Sequence, residues 1–319
     1  MKTCSQCCVA ALTSFLVWTL VDAVYVYNGD PYQQTKALGV SSLELSKTRD
    51  GVPIHTQVVY PTDPGVYVPL LFIPGLNGVV YPEVYSTVTT RLASYGYLLA
   101  SVDLYWPVEE DNHEDVGRNA ELAFKVLQWL KVHLESHYLP SAAPNVTVDW
   151  GRLGLLSHSL GGDTLIKMLE SNNMFAKAVV FMEPGSSSFK APLNYSIPSL
   201  STGTQLCTEK PACCLRGDSF DHFYTNMQCP KIVMNITGVG HCSIIDEVAW
   251  DLCHLSHFCK TDKNSERDVY RSQFIPGLLA SFYGTYLQGN SALLQYTTTP
   301  SDMPLPVNYL HTDLNCIVS

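Results

Sequence analysis

The sequence predicts an α/β fold, with a mostly parallel central sheet and helices on both faces. Three observations predict it. Apolar runs of strand length alternate with stretches of helical periodicity along most of the chain. Several of these runs, such as "VYVPLLFIPG" at 66–75, are continuously apolar, as strands covered on both faces must be. The chain has 319 residues, 46% of them hydrophobic and only 15% charged, which is enough material for one large core.

Taken in order, residues 24–50 are polar and mixed and read as an N-terminal extension or first strands. "IHTQVVYP" (54–61) alternates and stops at a proline, a strand. The buried strand at 66–75 is followed by "EVYSTVTTRLASYG" (83–96), which has helical spacing and a closing glycine. "YLLASVDLYW" (97–106) is the next buried strand. The stretch 114–138 is a long helix with Leu122, Val126, Trp129 and Leu130 on one face. "RLGLLSHS" (152–159) is a strand that runs into the helix "GGDTLIKMLESNN" (161–173). Strands follow at 176–185, 198–206 and 230–241, and a helix at 267–289 bends at Pro276. The Pro-, Ser- and Cys-rich segment 184–229 reads as a loop or small cap beside the carboxyl edge of the sheet.

Charge and targeting signals bound the setting. A formal net charge of −10 repels phosphate backbones and excludes nucleic acid as a partner. At the N-terminus, Lys2 precedes an apolar run from Val9 to Val21, and Val21-Asp22-Ala23 supplies small residues at cleavage spacing. Residues 1–23 therefore read as a signal peptide cleaved after Ala23, with an uncleaved anchor helix as the alternative. No later segment is long and apolar enough to span a bilayer, so no stable membrane anchor remains after cleavage. Residues 24–319 are then one domain with a Cys-rich C-terminal third. Cys4, Cys7 and Cys8 lie in the signal, and the other eight cysteines fall between Cys207 and Cys316, an even number that predicts disulfides. Asn145, Asn194 and Asn235 each open an N-x-Ser/Thr glycosylation acceptor. These features place the protein outside the cell or in the lumen of the secretory or lysosomal pathway.

The chemistry centres on the junction "LLSHSLGGDT". A serine on a tight strand-to-helix turn is thrust out of the backbone, and its neighbours must be small because strand and helix approach closely. Ser159 is that serine, with Gly161 and Gly162 behind it and Ser157 where the G-x-S-x-G pattern has its first glycine. A serine hydroxyl needs a base to take its proton. His241, in "GVGHCSII" after a late strand, is the candidate, because the base comes last in chain order in such folds. His158 adjoins the nucleophile and should point elsewhere. His133 and His137 fall on a helix, and His254 and His257 in the Cys-rich stretch. Glu183 ends the strand "AVVFMEPG" and is the favoured third member over Asp218, Asp221 and Asp246. The oxyanion donors are the N–H of Leu160, next to the nucleophile, and that of Leu76 in the Pro74–Gly78 loop, with Asn77 as its alternative.

Taken together these residues resemble the chlorophyllase family, α/β-hydrolases that cleave the phytyl ester of chlorophyll. "LLFIPGLNGVVYPEVYSTVTTRLASYGYLLASVDL" resembles that family's strand, oxyanion loop and "ASHGY"-like helix end. "SHSLGGDTLIKM" resembles its G-H-S-R-G-G elbow, "FMEPG" takes the place of its acid-bearing D-P motif, and "GHCSIID" resembles its G-H-M-D-M-L-D histidine motif. "FIPGLLASFYGTYLQGN" resembles its closing helix. The chain departs from the pattern at Ser157 for Gly, Leu160 for Arg and Glu183 for Asp, and in its signal peptide, acceptor asparagines and extra cysteines. The resemblance implies an α/β-hydrolase fold and a serine carboxylesterase that forms an acyl-enzyme, with chlorophyll giving chlorophyllide and phytol.

Two other readings stand beside it: a broader lipase or esterase acting on other apolar esters, and a non-catalytic hydrolase-like binding domain. Tyr105, Trp106 and Phe189 are candidates for lining the site mouth. "CHLSHFC", Cys253 to Cys259, offers zinc-ligand types, but in an oxidising compartment a disulfide such as Cys253–Cys259 is the expected state. The mechanism calls for no cofactor and no metal, and its partner is an apolar ester substrate.

Overall fold

The computed structural model describes residues 23–33, 37–78, 80–104, 115–171, 175–186, 189–214, 217–262 and 264–316. The expected signal segment up to Asp22, with its three cysteines, and the mouth candidates Tyr105 and Trp106 lie outside the described residues.

Among the described residues, ten strands form the sheet: β1 (Val40–Leu45), β2 (Thr56–Pro61), β3 (Gly65–Ile73), β4 (Tyr97–Val102), β5 (Val146–Val148), β6 (Gly154–His158), β7 (Ala178–Met182), β8 (Ser199–Thr204), β9 (Lys231–Ile236) and β10 (Val307–Asp313). Their order is β1-β2-β4-β3-β6-β7-β8-β9-β10, with β5 paired to β3 off this path. The run from β4 through β9 is parallel, while β2 lies antiparallel to both β1 and β4, and β10 antiparallel to β9. This is the predicted fold class, a mostly parallel sheet with antiparallel strands at both ends.

The period-2 alternation of a strand sends neighbouring side chains to opposite faces. In β3, Val68, Leu70 and Phe72 join a core with the helices Ser86–Ser94 and Ile275–Tyr286. Tyr67, Leu71 and Ile73 point the other way and meet the helices Val116–His133 and Gly161–Ser171. Both faces are therefore covered, which is why the central strands read as unbroken apolar runs. The expected bend at Pro276 takes the form of a π-helical turn, Tyr270–Phe274, which leads into the helix Ile275–Tyr286. Pro276 lies in the first turn of that helix, where its missing N–H is tolerated.

Among the described residues, four disulfides join Cys207–Cys214, Cys213–Cys259, Cys229–Cys316 and Cys242–Cys253. The pairing Cys253–Cys259 does not occur. Cys253 lies on the helix Glu247–Leu255 and reaches back to Cys242, whereas Cys259, beyond that helix, reaches Cys213. The zinc reading of "CHLSHFC" fails for the same reason, because both its sulfurs are engaged in disulfide bonds.

Candidate active site

Ser159 leaves β6 with φ 54, in the left-handed region, and the helix Gly161–Ser171 starts two residues later. The turn is held from both sides. Ser159 N–H donates to the Met182 carbonyl at 3.0 Å, and the Ser159 carbonyl accepts from Gly162 and Gly185 N–H, each at 3.1 Å. A side chain at position 161 would overlap the carbonyl oxygens of Ile73 and Pro74, so glycine is required there. Ser157, in the first-glycine position of the pattern, is fully buried in β6.

Glu183 and Leu76 also sit at positive φ, 47 and 51 respectively, just past the ends of β7 and β3. Non-glycine residues adopt this conformation only under constraint, and three of the five that do so among the described residues are Leu76, Ser159 and Glu183. Such strained positions cluster where side chains or N–H groups must be aimed.

His241 follows β9 on a tight loop. Gly240 N–H donates to Ser243 Oγ at 2.8 Å, and Ser243 Oγ donates to Asp262 Oδ2 at 2.7 Å, which pins the loop. A Cβ at position 240 would strike the Lys260 carbonyl. The His241 imidazole lies with Nε2 2.8 Å from Ser159 Oγ and Nδ1 3.4 Å from Glu183 Oε2. The Glu183 carboxylate is 1% exposed and accepts from Thr204 Oγ1 at 2.6 Å and Tyr270 Oη at 3.0 Å. Burial, reinforced by the charge on Glu183, pushes the Tyr270 phenol well above its ordinary range, so it remains a donor. The disulfide-bonded Cys207 sulfur sits 3.7 Å from His241 Nδ1.

The structure thus brings Ser159, Glu183 and His241 together. Two of the competing carboxylates are engaged elsewhere. Asp246 accepts from Ser86 Oγ at 2.7 Å and Thr87 N–H at 3.2 Å, and Asp221 accepts from His222 N–H at 3.0 Å. The Asp218 main chain accepts from Ser186 N–H at 3.0 Å. Such an arrangement can transfer a proton from Oγ to Nε2 while the carboxylate orients and stabilises the imidazolium.

A cavity of about 410 Å³ opens onto Ser159 and His241. Its walls are mainly aliphatic and aromatic, with Leu76, Val80, Ile245, Ala249, Leu252 and Phe258 among them. The helix Glu247–Leu255 forms one wall. Two polar side chains of the wall meet at 2.8 Å: Tyr85, which the sequence did not single out, and His158, which was expected to point elsewhere but lines the cavity beside His241. A tyrosine inside an amphipathic helix pattern carries no signal of such a contact. Phe189 is not at the mouth: it is fully buried against Phe223, ring centroids 5.3 Å apart, in the core.

Ligand atoms of His158, Glu183 and His241 lie within 4.8 Å of one another, a grouping that can hold a metal in principle. Here the Glu183 oxygens accept from Thr204 and Tyr270 and the His241 nitrogens face Ser159 and Glu183, so the set is already committed to hydrogen bonds. Of the acceptor asparagines, Asn145 and Asn194 are exposed, while Asn235 is half-buried within β9.

The family model "Chlorophyllase" matches residues 26–312 of the chain. Chlorophyllase-2 from Arabidopsis thaliana is 24% identical over 269 residues, covering 77% of this chain and 81% of that protein. The match spans β1 to β9, β10 as far as Thr312, and every residue of the site just described. The chain belongs to the chlorophyllase family of α/β-hydrolases, and with it to the carboxylic ester hydrolases.

Proposed function

We propose that the protein is a serine carboxylesterase that releases phytol from chlorophyll through an acyl-enzyme at Ser159. The observation that carries the reading is the 2.8 Å approach of His241 Nε2 to a serine hydroxyl held at positive φ on a strand-to-helix turn. His241 takes the Ser159 proton as Oγ attacks the ester carbonyl carbon. The oxyanion that forms is met by the N–H groups of Leu76 and Leu160. Collapse of this intermediate breaks the ester C–O bond, and His241 returns the proton to the departing alcohol. Water, deprotonated by His241, then attacks the acyl-enzyme and frees the acid and Ser159. Glu183 holds the imidazole and stabilises its cationic form throughout. The apolar cavity supports an apolar group next to the scissile bond.

The test is product analysis after incubation with chlorophyll a. The wild type should yield chlorophyllide and phytol, and Ser159→Ala, with an unchanged fold, should yield neither. Chlorophyllide formed at the wild-type rate by Ser159→Ala excludes the mechanism.

The aliphatic lining also suits other apolar esters, so a broader esterase is the second reading. Turnover of short-chain p-nitrophenyl esters at an efficiency well above that for chlorophyll would favour it. We further propose export, with cleavage after Ala23, a single mature domain over 24–319, and glycans at Asn145 and Asn194. The four disulfides support an oxidising compartment, and no helix among the described residues is long and apolar enough to cross a membrane. At Asn235, the half-buried position in β9 would require the glycan to be added before the sheet closes.

A further inference from the structure

Tyr85 and His158 belong to neither the triad nor the oxyanion donors, yet they join both. Tyr85 Oη accepts from Gly75 N–H at 3.1 Å and lies 2.8 Å from His158 Nδ1. A buried phenol proton needs an acceptor, and we assign it to the 2.8 Å contact with His158 Nδ1. Burial pushes the phenol above its ordinary range, so the proton stays in place. Nδ1 is therefore an acceptor, and the ring carries its own proton on Nε2. Burial, and after it the neighbouring His241, pushes His158 well below the usual histidine range, so the ring remains neutral. Its Nε2 is enclosed and lies against the main chain of His241. The two imidazoles pack with centroids 4.7 Å apart at 30°.

We propose that His158, held by Tyr85, is a positioning residue that fixes the oxyanion turn and the His241 imidazole relative to Ser159. The inference rests on the triad reading above. Its physical content is that one enclosed ring touches three parts of the site at once. Through Tyr85 it anchors the N–H of Gly75, one residue before the positive-φ Leu76 whose own N–H is the oxyanion donor. By chain adjacency it fixes the direction in which Ser159 leaves β6. By packing, it sets the plane of the base. The fit is close, since a Cβ at Gly75 would lie 3.2 Å from both His158 Nδ1 and Tyr85 Oη. Neutrality also matters, because a second cation at this range would oppose the charge His241 must acquire.

Three variants test it: Tyr85→Phe, His158→Leu and His158→Asn. Active sites are titrated with a phosphonate that labels Ser159, so that only folded, competent sites are counted, and steady-state turnover of a p-nitrophenyl ester is then measured. Misplacing a catalytic group by about 1 Å costs on the order of 100-fold, so Tyr85→Phe and His158→Leu should lose about 10- to 100-fold in kcat with KM nearly unchanged. His158→Asn, whose Oδ1 can accept from Tyr85 as Nδ1 does, should recover most of that loss. Wild-type kcat per titrated site in Tyr85→Phe and His158→Leu overturns the proposal, as does His158→Asn no better than His158→Leu. A wild-type protein that the phosphonate fails to label would instead remove the triad reading itself.

Discussion

Glu183 stands where the resemblance implies an aspartate, and its surroundings accommodate the longer side chain. Positive φ at position 183 turns the backbone, and Thr204 and Tyr270 take one carboxylate oxygen each. Replacing it by glutamine keeps the shape but removes the charge that favours imidazolium. Glu183→Gln should lower kcat by on the order of 10³- to 10⁴-fold on a p-nitrophenyl ester with little change in KM. A loss under about tenfold would mean that His241 is oriented by other groups. A second histidine carries a stability consequence. His55 sits 3.2 Å from Glu44 Oε2 and 3.6 Å from Asp103 Oδ2, and the hydrogen bonds to Asp103 and then Glu44 raise it to about 10. Because the folded state holds this proton more tightly than the unfolded chain, the stabilisation is complete below the unfolded value, roughly 6.5, and is lost as pH rises through about 10. The gap in Tm between wild type and His55→Gln should therefore be widest at pH 6 and close above pH 10. A pH-independent gap would show that His55 acts by packing alone.

Among the elements, the disulfide Cys229–Cys316 ties the chain two residues before β9 to the chain just beyond β10 and closes the widest sequence separation of the four, 87 residues. Removing it with a double Cys→Ser change should cost roughly 4 kcal/mol in denaturant unfolding while leaving the site geometry, and so kcat, intact. A large fall in kcat in the folded variant would contradict that separation of roles. The elements that were legible in sequence were those with their own periodicity. β3, β4, β6 and β7 are buried on both faces and read as continuous apolar runs, and the elbow at Ser159 is marked by residues whose size the turn dictates. β5 spans three residues and β10 is largely exposed, so neither carries a pattern strong enough to see. The disulfide pairing was not legible because it depends on where the helix Glu247–Leu255 aims Cys253, a matter of three-dimensional register. The contact of His158 with Tyr85 joins residues 73 positions apart and leaves no local trace.

For the whole molecule, the net charge of −10 acts at a distance that no single contact does. An apolar ester must be met in a micelle or membrane, and a strongly acidic protein is repelled from an anionic surface. Hydrolysis of an ester dispersed in zwitterionic micelles should exceed that in anionic vesicles at low salt, and the difference should shrink as salt screens the repulsion. Equal rates on both surfaces at low ionic strength would show that the charge is distributed away from the approaching face.

The outer wall of the cavity is tethered by Cys242–Cys253 near its end and by Cys213–Cys259 just beyond it. Material made in a reducing cytoplasm would lose these crosslinks, with a large fall in stability and a loosened wall. What folded fraction remained would handle bulky esters poorly, so the choice of expression host bears directly on what substrate range is measured.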